Sequence, residues 1–182
     1  NYLRETASQT AGPYVHIGVA PGAAGFDIYK QGLGHDSCGP NAKGERSRVE
    51  GVVIDGMGAP IKDVLLEVWQ ANADGHYAHP EDAGAIEDGF RGWGRVITDF
   101  DTGEWGFDTV KPGSTQRRNV GTQAPHLNLW LVARGINIGL NTRMYFADEE
   151  AANVMDPVLN LIEWENRRGT LIAARDDSGD VP

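Results

Sequence analysis

Two stretches carry residue types that could hold a transition metal. "EVWQANADGHY" ends at Tyr77, and "QAPHLNLWLVARG" carries His126 and, two residues on, Asn128. Side chains two apart in a strand point the same way, so His-x-His on such a strand would aim two imidazoles off one face. Here the second position is an amide, a poor ligand beside imidazole, while a tyrosinate oxygen suits ferric iron. The residues by themselves leave two readings open. Tyr77 and His126 are half of a metal site, or they are a packed tyrosine and a structural histidine.

Other groups compete for a role. "GHYAHPED" gathers His76, His79, Glu81 and Asp82, the raw material of a two-histidine, one-carboxylate site, or else of a solvated loop. Arg134 ends the apolar run "LNLWLV", where a guanidinium pairs either with a protein carboxylate or with a planar carboxylated ligand. Arg117–Arg118 and Arg167–Arg168 read as solvated surface charge. Cys38, in a Gly/Pro-rich loop, reads as an inert thiol. Serine-hydrolase, P-loop and dinucleotide signatures are absent, and "GMGAPIK" reads as turn chemistry between strands.

The elements that must position these groups are mostly strands. Expected strands cover 48–54, 64–71, 94–100, 104–110, 126–134, 142–147 and 170–175, with turns at "ADG" (73–75) and a hairpin tip at Asp101–Gly103. In 64–69, Val64, Leu66 and Val68 alternate with Leu65, Glu67 and Trp69, which suits a strand inside a sandwich. Helices are expected at 147–154, with acidic residues at its start, and at 156–164, where Asp156 precedes Pro157 as N-cap and first residue. The sum is an all-β chain: a β-sandwich over 47–182 behind a loop-rich N-terminal arm, 1–46. The chain ends in "DDSGDVP" with no returning strand, so a missing or partner strand is expected over the edge formed by 170–175.

Bulk properties exclude some partners. With 182 residues, 40% hydrophobic and 23% charged, the chain has the length and composition of one globular domain. A formal net charge of −10 argues against nucleic acid and anionic membrane surfaces. One cysteine permits no intrachain disulfide, and no apolar run reaches membrane-span length, so a cytoplasmic location is expected.

Taken together, "SQTAGPYVHIG", "GVVIDGMGAPIKDVLLEVWQANADGHY", "DTVKPG", "APHLNLWLVARGIN" and "TRMYFADE" resemble the aromatic-ring intradiol dioxygenases, in order and over residues 6–175. The resemblance implies a β-sandwich and Fe(III) held by two tyrosines and two histidines. It implies cleavage between the hydroxylated carbons of a catechol, giving 3-carboxy-cis,cis-muconate from protocatechuate. Carried over residue by residue, it places ligands at Tyr77 and His126 and finds Asn128 where the other histidine belongs. Ser114 and Thr115 stand where a tyrosine should follow "KPG", and Gln123 stands where catalytic chains resemble Arg-Pro-x-His. The site thus reads as vestigial, with no metal and no catalytic residue of its own. The resemblance then implies a homologous beta subunit carrying the iron, in a higher αβ oligomer, whose substrate pocket this chain lines through Thr10, Gly12, Pro13, Tyr14 and Arg134. The alternatives are an independent metalloenzyme built on His76 and His79, or a non-catalytic sandwich used for assembly.

Overall fold

Apolar side chains alternate along the strand segments, so each strand has one face that can be removed from water only by a second layer. A computed structural model of the chain, describing residues 4, 9–12, 14–29, 34, 37–117, 119–137 and 139–176, shows how this is done. The strands are β1 (Arg46–Val52), β2 (Leu65–Trp69), β3 (Trp93–Ile97), β4 (Glu104–Val110), β5 (Thr115–Arg117), β6 (Gly121–Gln123), β7 (His126–Val132), β8 (Leu140–Phe146) and β9 (Ile172–Ala173). A five-stranded sheet runs in the order β3-β2-β7-β8-β9, antiparallel except for the parallel β8–β9 pair. Antiparallel β1 and β4 form the opposing layer, and β5–β6 make a small ribbon that leads into β7.

Between the layers, Val49 of β1 and Phe107 of β4 pack on Val68 of β2 and on Leu127 and Leu129 of β7. Burying each such side chain contributes about 1.5–3 kcal/mol, which fixes the register of β7. Leu127 and Leu129 must face inward, so His126, Asn128 and Trp130 face outward. Pairing across the sheet aligns Trp93, Trp69, Asn128 and Arg143 in one row on that outer face. The relevant polar side chains are therefore placed by the burial of their apolar neighbours.

The architecture is the expected β-sandwich, with several local differences. Asp101–Gly103 is a tight turn, Gly103 having φ +81° and the Asp99 carboxylate accepting the N–H groups of Asp101 and Thr102 at 2.8 Å. It is not a simple hairpin tip, because β3 joins β2 while β4 pairs with β1 across the sandwich. The expected helix at 156–164 is a turn followed by one 3-10 turn, Leu159–Leu161. Asp156 is extended, as an N-cap is, and its carboxylate also takes the N–H of Ala124 and the hydroxyl of Tyr145. The helix ends after one turn because the backbone is extended again at Ile162, φ −78° and ψ 110°. A short helix, α3 (Glu165–Gly169), follows, and the strand expected at 170–175 is only β9. At 147–154 a 3-10 turn, Ala147–Glu149, leads into α2 (Glu150–Met155).

The N-terminal arm contains a helix, α1 (Tyr14–Val19), that its glycines and prolines concealed. Buried His16 on α1 donates from Nε2 to the Asp63 carbonyl at 2.9 Å and meets the Phe100 ring edge-on, which pins the arm to the loop before β2. No helix among the described residues is long and apolar enough to cross a membrane.

Candidate functional site

Tyr77 is presented by a turn built around Asn72, a fully buried residue. The Asn72 Oδ1 accepts the N–H groups of Asp74 (3.1 Å) and His76 (2.9 Å), and its Nδ2 donates to Glu87 (2.8 Å). Gly75 closes the turn at φ +85°, where an added β-carbon would collide with the Ser114 carbonyl. The Asp82 carboxylate then accepts the Tyr77 N–H at 2.8 Å, and this bond, with another from Gly84, holds it below the usual carboxylate range. The phenol ring is stacked on Trp69, 6.0 Å between centroids.

Tyr77, His126 and Asn128 are brought together, as the sequence suggested, but they bond to one another. His126 donates from Nδ1 to the Ala124 carbonyl at 2.7 Å, so the neutral ring offers Nε2 as an acceptor. The Tyr77 hydroxyl donates to that Nε2 at 3.2 Å, and Asn128 Nδ2 donates in turn to the phenol oxygen at 3.2 Å. A second donation from Asn128 Nδ2, to the Trp69 carbonyl at 3.1 Å, fixes the amide. Burial pushes the Tyr77 pKa up and the His126 pKa down, so both groups are held neutral.

Ferric iron asks for the opposite: an ionised phenolate and imidazoles with free lone pairs. Here the one imidazole lone pair receives a phenol proton, and an N–H points where the other histidine would offer nitrogen. The positions expected to hold a tyrosine and an arginine close on each other as well. Thr115 and Gln123 pair across the β5–β6 ribbon, and Gln123 Nε2 lies 3.4 Å from the Thr115 hydroxyl. Residues Tyr77, His126, Asn128, Ser114, Thr115 and Gln123 do not fit a ferric centre.

The "GHYAHPED" cluster does not assemble either. His76 Nδ1 meets Asp82 at 3.1 Å, while His79 Nδ1 accepts the Glu81 N–H at 3.2 Å within its own turn. Among the described residues, no group of three or more His, Cys, Asp or Glu could hold a metal ion. Cys38 sits 3.4 Å from the Thr109 hydroxyl, half-buried beside Phe90.

The residues expected to line a pocket, in the arm and at Arg134, lie elsewhere. Thr10 accepts the Gly135 N–H through Oγ1 at 2.7 Å, and Arg134 Nε is ion-paired with Asp63. Of the readings left open for Arg134, the structure shows the protein carboxylate, with 66% of the Arg134 side chain still exposed. Gly12 is half-buried, Tyr14 is 83% exposed, and Pro13 lies outside the described residues. His126 opens β7, whereas Arg134 follows its far end, about 20 Å or more away at the rise of a strand.

Sequence reasoning missed Asp63, Asn72, Arg143 and the central role of Asp156. "NADG" carried a readable Asx-turn signal for Asn72. The Asp-Pro pair did flag Asp156 as a cap, and its Oδ1 accepts the N–H groups of Val158 (2.8 Å) and Leu159 (2.6 Å). Nothing local marks Asp63 or Arg143, whose partners are distant in the chain.

The profile of the family described as "Dioxygenase" matches residues 25–182. The chain belongs to that dioxygenase family. Within it, the chain is 51% identical over 173 residues to the protocatechuate 3,4-dioxygenase alpha chain of Pseudomonas putida, covering 95% of this chain and 85% of that one. It is 36% identical over 137 residues to the protocatechuate 3,4-dioxygenase beta chain of Burkholderia cepacia, covering 73% and 54%. The catechol 1,2-dioxygenase structure from Acinetobacter sp. ADP1 shares the fold, at TM-score 0.59 and 20% identity, over 80% of this chain. This chain spans about half of that one, 48%.

Proposed function

We propose that the chain is the alpha subunit of a heteromeric protocatechuate 3,4-dioxygenase, and that it lines the substrate pocket of a homologous beta subunit that holds the Fe(III). The reaction is intradiol cleavage of protocatechuate by O2 to 3-carboxy-cis,cis-muconate, with both oxygen atoms entering the product. The work of this chain is binding and orientation.

One observation carries the reading: the two kinds of functional residue lie at opposite ends of β7. Arg134, Thr10 and Tyr14 are too far from Tyr77 and His126 to serve a centre in their own chain. At their own end they present an exposed phenol ring and a partly exposed guanidinium, suited to the ring and carboxylate of a substrate held by another chain. The alpha-chain relative supports the assignment over nearly the whole sequence, and the related beta chain supplies a partner of the same family.

The test is to purify the chain alone and together with its partner. Alone, it is expected to lack the visible tyrosinate-to-iron colour and ring-cleaving activity, both of which the complex shows. Stoichiometric iron with colour in the isolated chain overturns the proposal.

A further inference from the structure

The outer face of the five-stranded sheet carries a cavity of about 500 Å³. Trp69, Trp93 and Trp130 line it from β2, β3 and β7, and Ile162 closes on it from the segment after α2. Glu67, Asn128, Asn141, Thr142 and Arg143 add polar groups to this mostly apolar lining, and a concave apolar surface with convergent polar groups is the usual form of a small-molecule site.

The polar groups it contains have unused capacity. Arg143 Nη1 donates to Gln123 Oε1 at 2.8 Å and to the Tyr145 hydroxyl at 3.3 Å. Among the described residues, its Nε and Nη2 donate to no acceptor and no carboxylate lies within 4.0 Å. On the same face Arg95 is compensated, by Glu67 at 2.5 Å, so the one carboxylate lining the cavity is already paired. Asn128, directly opposite Arg143 in the β7–β8 register, spends Nδ2 on Trp69 and Tyr77 and leaves Oδ1 as an open acceptor among the described residues.

We infer that this cavity binds a hydroxylated aromatic carboxylate without a metal. The Arg143 fork takes the carboxylate, the indoles take the ring, and Asn128 Oδ1 accepts a ring hydroxyl. Arg143 meets the ligand's charge from the protein itself. The inference does not depend on Arg134 or on which chain holds iron.

The test is equilibrium dialysis of the complex with 4-hydroxybenzoate, comparing the native protein with Arg143→Gln in this chain. The native complex is expected to take up one more equivalent per copy of this chain, or to bind that equivalent about tenfold or more tightly, because a charge-assisted fork is lost in the variant. A site on the partner cancels in the difference. Neutral 4-hydroxybenzamide should show no difference between the two proteins. If Arg143→Gln does not assemble, Trp130→Ala decides instead, since that indole is 37% exposed and its removal takes away part of the ring contact. Equal uptake of 4-hydroxybenzoate by the native complex and the assembled variant overturns the inference.

Discussion

The Tyr77 hydroxyl lies 3.2 Å from Nε2 of His126, and the bond it donates occupies the lone pair that would otherwise be free for a metal. Removing that hydroxyl takes the partner from the buried imidazole acceptor and from one N–H of the half-buried Asn128 amide, which keeps its bond to the Trp69 carbonyl. Tyr77→Phe should therefore lower stability by about 1–3 kcal/mol. Urea unfolding measures it, and an unchanged midpoint would show that the bond is dispensable.

Restoring one imidazole should not restore the centre. In Asn128→His, Ser114, Thr115 and Gln123 still stand where a tyrosine and an arginine are expected. Affinity depends on a complete and preorganised ligand set. Elemental analysis of the variant should find iron well below one equivalent, and full occupancy would show that the absent donors do not matter.

His126 makes stability depend on pH in a stated direction. Burial lowers its pKa in the folded chain, so near and below about pH 6.5 the unfolded chain binds the extra proton more readily. Its contribution to stability is complete above the unfolded value. It declines as pH falls from there toward the lower folded value. Melting temperature should drop over this window, and the drop should be smaller in His126→Gln. Identical profiles would remove His126 as the titrating group.

Arg134 and Asp63 should matter to substrate and little to stability. With the Arg134 side chain 66% exposed, breaking the pair costs about 1 kcal/mol or less. In the assembled enzyme, Arg134→Ala should raise KM for protocatechuate much more than for unsubstituted catechol. Equal changes for both substrates would detach Arg134 from carboxylate recognition.

Asp156 should behave in the reverse way. It is fully buried and accepts the N–H groups of Ala124, Val158 and Leu159. Through Ala124, whose carbonyl receives Nδ1 of His126, it also fixes that ring. Asp156→Ala leaves several buried donors unsatisfied and should cost more than about 3 kcal/mol. A loss below about 1 kcal/mol by thermal unfolding would refute its role as an anchor.

Much of this was legible in the sequence because it depends on local periodicity. The strand 104–110 was read with its observed bounds, and β2 and β7 were found within two residues at each end. Asp-Gly and Asx turns were readable because positive φ and side-chain capping have few residue solutions. The Asp156 cap at 156–164 was legible, but the helix it starts stops after one 3-10 turn because the backbone is extended again at Ile162. The same carboxylate is tied to Ala124 and Tyr145, 32 and 11 residues earlier. Helix α1 was hidden because its support, the Asp63 carbonyl held by His16, is 47 residues distant.

Donor chemistry was settled by residue identity: one phenol, one imidazole, and an amide and hydroxyls in place of stronger ligands, whatever the fold does with them. Tertiary structure alone decided that the phenol and imidazole bond to each other, that Arg134 pairs with Asp63, and that Arg143 faces an aromatic cavity with donors to spare. Each of these rests on cross-strand register and on contacts between distant segments. Burial of Leu127 and Leu129 sets them, and no short window of sequence contains that information.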